Sequence, residues 1–107
     1  MKILFICNQN ENRSKTAEEL FRSEYDTKSA GLYNKMPVNE VEVSWADVIV
    51  VMDDEQRSEI ARRFPKQYMQ KRILSLNISD IYSYDQSELK VILRDRMEDV
   101  MSIVATH

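Results

Sequence analysis

The chain has one cysteine, one glycine, one histidine and two prolines in 107 residues, and most of these shortages close a route. A lone cysteine excludes an internal disulfide and any cysteine-rich zinc site. The histidine is His107, the last residue, where a side chain is expected to fray. That argues against a Cys–His catalytic pair and against a histidine-ligated metal. A surplus of positive charge is also missing. Lys and Arg number 15 against 18 Asp and Glu, for a net charge of -3, whereas a binder of nucleic-acid backbones usually carries a basic surplus. No apolar run approaches the roughly 18–20 residues that cross a membrane. The opening "MKILFIC" is too short and too strand-like for a signal peptide. The expectation is a cytoplasmic protein with no nucleic-acid or membrane partner, no cofactor and no metal. Any chemistry runs on thiol, carboxylates, arginine and backbone amides.

What is present is ordinary for a globular chain: 43% hydrophobic and 31% charged residues, enough for one domain over residues 1–107. Strand-like and helix-like segments alternate, which predicts an α/β fold with a parallel sheet. Lys2 to Ile6 reads as a buried strand. Ser14 to about Tyr25 carries Ala17, Leu20 and Phe21 on one helical face. "TKSAGL" is a weaker strand containing the only glycine, Gly31. Val38 to Ala46 is a short helix or turn seating Trp45. "DVIVVM" is apolar without alternation, as in a strand covered on both faces. Asp53 with Gln56 three residues on reads as a capping box opening a helix to about Phe64, which Pro65 ends. "RILSL" is a fourth strand. Leu89, Ile92, Leu93, Met97, Val100 and Val104 form a stripe along a last helix. Four such strands with right-handed crossovers give a flavodoxin-like three-layer sandwich, sheet order 2-1-3-4. In that order ligands bind where the chain reverses direction, beyond the carboxyl ends of the strands. Cys7 falls there.

The loop "CNQNENRS" follows. A helix N-terminus offers unpaired amides and a positive dipole end, an anion site in waiting. A loop curled around an oxyanion needs left-handed backbone angles, and after glycine asparagine tolerates them best. Asn8, Asn10 and Asn12 alternate through this one. The amides of Asn8, Gln9, Asn10, Glu11 and Asn12 are expected to form a nest, closed by the planar fork of Arg13. In that field Cys7 is expected to act as a thiolate nucleophile. Ser14 is positioned to donate a hydrogen bond to the sulfur and help it leave. The plainer reading of a cysteine after a strand is a small buried hydrophobe; the arginine and serine at these offsets favour chemistry.

This segment resembles the Cys-x5-Arg-Ser signature of low-molecular-weight protein tyrosine phosphatases. The likeness extends to Asn10, to "SAG" at Ser29 to Gly31, to "WADVIVVMD" and to "SDIYSY" at Ser79 to Tyr84, similar to that family's acid loop. It runs through nearly the whole chain, which is shorter than a typical member by roughly a third, a short form with reduced loops. The resemblance implies a phosphomonoester hydrolase acting on a phosphotyrosine-containing protein or a small aryl phosphate. Cys7 would form a phosphocysteine, Arg13 and the loop amides would bind phosphate, and Asp80 would be general acid and then base. Without the likeness Asp80 reads as a solvated loop carboxylate. Its neighbour Asp85 has a structural role available, as a capping box with Glu88 for the last helix. Tyr33, Tyr82 and Tyr84 are candidates for a rim around an aryl ring, with loop packing as the alternative.

Four residues depart from the family pattern. Asn12 stands where many members have a second cysteine, so oxidised Cys7 has no partner for a protective disulfide. Glu11 puts a negative charge in the phosphate loop. Lys15 replaces a frequent proline and opposes the helix dipole. Ile81 replaces the proline that would stiffen the acid loop. Three other functions compete. Arsenate reduction needs cysteines this chain lacks, and a phosphocysteine carrier is at odds with a closing arginine and a downstream acid. A non-catalytic phosphotyrosine-binding module is the main alternative.

Overall fold

The computed structural model describes residues 1–105; His107 lies outside them. The elements are β1 (Lys2–Cys7), α1 (Arg13–Leu20), β2 (Asp26–Gly31), α2 (Glu40–Trp45), β3 (Val48–Val51), α3 (Asp54–Arg63), α4 (Pro65–Gln70), β4 (Arg72–Ser75) and α5 (Ser87–Ala105). The four strands pair in the order β2-β1-β3-β4, all parallel. This is the expected α/β sheet, with β1 between β2 and β3 and Cys7 opposite Gly31.

The period-two geometry of a strand divides β1 between two cores. Ile3, Phe5 and Cys7 face one way, into a cluster with Ala17 and Phe21 and with Leu89, Leu93 and Met97 of α5. Leu4 and Ile6 face the other, into a cluster with Val43 of α2 and Ile60 of α3. Phe5 stacks on Phe21 with ring centroids 5.9 Å apart. Burying a ring of this size stabilises the fold by about 2–3 kcal/mol. Strand β3, apolar at every position, is buried throughout. Each layer thus hangs on strands covered from both sides, and their carboxyl ends open at one edge. Among the described residues no helix is long and apolar enough to cross a membrane.

Two local expectations are corrected and one is extended. Helix α1 stops at Leu20, well short of Tyr25. The amides of Glu24 and Tyr25 both bond the Phe21 carbonyl, a turn that swings the chain back so that Asp26 can start β2. Pro65 does end α3, but it also opens α4 as that helix's first residue, where its missing N–H costs nothing. Asp85 and Glu88 form no capping box. The Asp85 amide donates to Thr16 Oγ1 at 2.8 Å, its carboxylate pairs with Lys90 Nζ at 3.0 Å, and the Glu88 carboxylate accepts from Gln86 Nε2. The capping box of Asp53 and Gln56 is formed as expected. A second one, Asn39 with Glu42, starts α2.

Candidate active site

Cys7 ends β1 and is almost wholly buried, at 4% exposure. The next residues leave the sheet and curl back to α1, and Asn10 makes the turn with φ 57°. That left-handed angle aims its amide at the sulfur, with N to Sγ 3.2 Å. Of the three loop asparagines only Asn10 takes such an angle; Asn12 has φ -116° at the start of α1. Ser14 Oγ lies 2.9 Å from Cys7 Sγ and donates to Asn10 Oδ1 at 2.7 Å. A hydroxyl has one proton. While it rests on Asn10, the thiol donates to Ser14; once the sulfur is an anion, that proton can swing onto it beside the Asn10 amide.

Arg13 opens α1 and is 2% exposed. Its Nη1 donates to the Ile78 carbonyl at 2.8 Å and lies 3.6 Å from Asp53 Oδ2. Its Nε lies 3.6 Å from Asp80 Oδ1 and has no hydrogen-bond partner. A buried guanidinium N–H left unpaired is costly, and a bound oxyanion would satisfy it. Asp80 is mostly in solvent, at 64% exposure. Asp85, its rival for the acid, is held by Thr16 and Lys90. A small cleft is lined by Cys7, Asn8, Gln9, Glu11, Asn12, Arg13 and Asp80. The structure therefore brings Cys7, Arg13, Asp80 and most of the loop together, while Asn10 and Ser14 brace the sulfur.

The tyrosines sit apart from that cleft lining. Tyr33 lies under the Arg63 guanidinium, 5.1 Å from its ring centroid. Tyr82 packs against the core. Tyr84 lines an adjoining cavity with Asn10, Glu11 and Lys15, and its hydroxyl donates to the Glu19 carboxylate. That bond, first among several causes, pushes the Tyr84 phenol above its ordinary pKa.

Sequence reasoning missed Gln56 as part of the site. Buried beside the loop, its Oε1 accepts from the amides of Met52 and Asp53 and its Nε2 donates to Asn8 Oδ1 at 3.2 Å. It ties the start of α3 to the loop after β1. The capping-box pattern marked Gln56, but only strand order could place Asn8 within its reach. The approach of Asp53 to Arg13 escaped for the same reason.

No family model matches the chain, and no curated protein matches it in sequence. Solved structures do resemble it. The fold they share with it is that of low-molecular-weight protein tyrosine phosphatases. A low-molecular-weight protein tyrosine phosphatase from T. tengcongensis superposes with TM-score 0.76 at 16% identity, over 100% of this chain and 99% of the other. The YwlE arginine phosphatase from Geobacillus stearothermophilus gives TM-score 0.75 at 19% identity, over 99% and 96%. A protein tyrosine phosphatase from Entamoeba histolytica gives 0.71 at 22%, over 100% and 97%.

Proposed function

We propose that this protein is a cysteine-dependent phosphatase that removes phosphate from an aryl phosphate, such as phosphotyrosine in a protein, through a phosphocysteine on Cys7. The observation that carries the reading is the buried Arg13, its Nε unpaired, in one cleft with the Cys7 sulfur and the Asp80 carboxyl. The Cys7 thiolate attacks phosphorus; the S–P bond forms as the P–O bond to the leaving phenol breaks. Asp80 gives that oxygen its proton. The amides of the Asn8 to Asn12 loop and the Arg13 fork bind the phosphoryl oxygens. Asp80, now a carboxylate, takes a proton from the water that attacks phosphorus. The P–S bond then breaks, and the Ser14 hydroxyl and Asn10 amide receive the sulfur anion. A thiolate enzyme without a second cysteine suits a reducing compartment, so we place it in the cytoplasm.

Aryl-phosphate turnover across about pH 5–7 tests this. Wild type should turn over, Cys7→Ser should bind vanadate without turnover, and Asp80→Asn should lose roughly 10²–10⁴-fold in kcat/KM. A wild type that binds oxyanions but hydrolyses nothing makes the protein a phosphate-recognition module instead.

A second reading, dephosphorylation of arginine, is favoured by one feature. The cleft carries two carboxylates, Glu11 and Asp80, and no aromatic side chain. A guanidinium leaving group would gain from Glu11 what an aryl ring would not. Under this reading Glu11→Gln lowers kcat/KM on phosphoarginine and spares phosphotyrosine peptides; equal effects on both exclude it.

A further inference from the structure

The segment that carries the acid, "SDIYSYDQ" at residues 79–86, contains neither proline nor glycine, so nothing in its own composition stiffens it. Ile81, next to the acid, is 77% exposed and anchors nothing. Yet Asp80 must stay within reach of the leaving oxygen if it is to protonate it. The restraint has to come from what the segment touches.

One end is fixed at Ile78. Its amide donates to the Met52 carbonyl at 2.8 Å, and its carbonyl receives Arg13 Nη1. The other end is fixed to α1. The Asp85 amide donates to Oγ1 of Thr16, a side chain buried inside the fold, and the Tyr84 hydroxyl donates to Glu19. Asp85 adopts φ 60°, a backbone angle that a non-glycine residue takes only where its surroundings hold it. Arg13, Thr16 and Glu19 recur every three residues along α1, which places them on neighbouring positions of one helical side. The helix that presents the phosphate-binding arginine as its first residue thus grips the acid segment further along the same side. Being rigid, it fixes the distance between the two.

We propose that Thr16 and the Tyr84–Glu19 pair are positioning residues that hold Asp80 at the reacting oxygen by fastening residues 79–86 to α1. The proposal rests on the phosphatase reading above. It supplies externally the stiffness that a proline at position 81 would have given internally. Neither Thr16 nor Glu19 lines the cleft; both act through Asp80 alone.

The test varies the leaving group. kcat/KM reports the first step, in which the P–O bond breaks, and a loosened acid matters only where the departing phenol needs its proton. Tyr84→Phe keeps the ring and removes only the hydroxyl; Thr16→Val removes the acceptor. Phenyl phosphate, with a basic leaving group, should lose roughly ten- to a hundredfold in kcat/KM in the double variant. Dinitrophenyl phosphate, whose phenolate leaves unaided, should stay within about twofold of wild type. Thr16→Ser, which restores the acceptor, should recover the phenyl phosphate rate. Equal losses on both substrates, or none on either, overturn the proposal while leaving the phosphatase reading intact. A wild type inactive on both overturns the two together. Should Thr16→Val fail to fold, Tyr84→Phe, at a surface position, decides alone by the same contrast.

Discussion

Gly31 is the place where a single methyl group should do the most damage. It ends β2, pairs with Cys7 across the sheet, and its carbonyl receives the Val38 amide at 2.8 Å. A Cβ built there would lie 2.9 Å from the Gln9 carbonyl carbon and 2.9 Å from Asn34 Cγ. Ordinary carbon contacts need about 3.5–4.0 Å, so each neighbour must yield by roughly 0.6 Å or more. Asn34 can turn its side chain aside. Gln9 cannot, because the contact is with its backbone, and that backbone belongs to the loop that lines the candidate site. Overpacking of this kind costs about 1–3 kcal/mol. The alanine recovers about 0.4–1 kcal/mol by restricting the unfolded chain. The net loss for Gly31→Ala is about 1–2 kcal/mol, a fall in Tm of roughly 5–15 °C for a domain of this size. The loop displacement should also lower aryl-phosphate kcat/KM by about tenfold or more and weaken vanadate binding alongside. Thermal unfolding and oxyanion titration on the purified variant read both. Gly31→Ala with Asn34→Gly should recover only part of the loss, since the Gln9 contact remains. A Gly31→Ala protein with wild-type Tm and wild-type vanadate affinity would refute the steric argument.

Other perturbations probe separate parts of the structure. Gln56→Leu strands the Met52 and Asp53 amides and Asn8 Oδ1, and should cost about 1–3 kcal/mol in chemical denaturation. Gln56→Glu keeps the acceptor for the two amides and should cost visibly less; equal losses would contradict the bridging role. Glu59 accepts hydrogen bonds from Arg62 and Arg63, which hold its carboxyl down to about 2 from 4.5. A carboxylate depressed in the folded state contributes stability that is complete above the unfolded value of 4.5 and lost as pH falls through about 2. The Glu59 carboxyl should accordingly titrate near 2 by NMR, and an ordinary midpoint near 4.5 would remove this contribution from the account. Peroxide should drive Cys7 past the sulfenic acid to irreversible forms, because the chain has no other cysteine. Mass spectrometry showing full return to free thiol without added reductant would contradict that.

Much of this molecule is written locally. The unbroken apolar runs in β1 and β3 can be covered only from both faces, and with helical segments between them that leaves a parallel sheet. Asp53 and Gln56 announce a helix start three residues apart. Cys7, Arg13 and Ser14 sit within one loop and the turn after it, so their meeting needs no long-range information. The acid-loop resemblance points to Asp80; the capping box expected to occupy Asp85 is not formed, and Thr16 and Lys90 hold that residue instead.

What the sequence by itself determined was the meeting of Cys7 and Ser14 at the strand-to-helix turn and the layered sheet that presents it, because both follow from side-chain periodicity and from neighbours a few residues apart. What only the tertiary structure decided was everything that depends on distant segments meeting. The Gln56 bridge to Asn8, the two carboxylates flanking Arg13, the seat of Asp85 on Thr16 and the crowding of Gly31 against Gln9 all span from about 20 to nearly 70 residues of chain. Such contacts leave no periodic trace: a hydrogen bond between remote residues constrains two positions, while a helix or strand constrains every position along it.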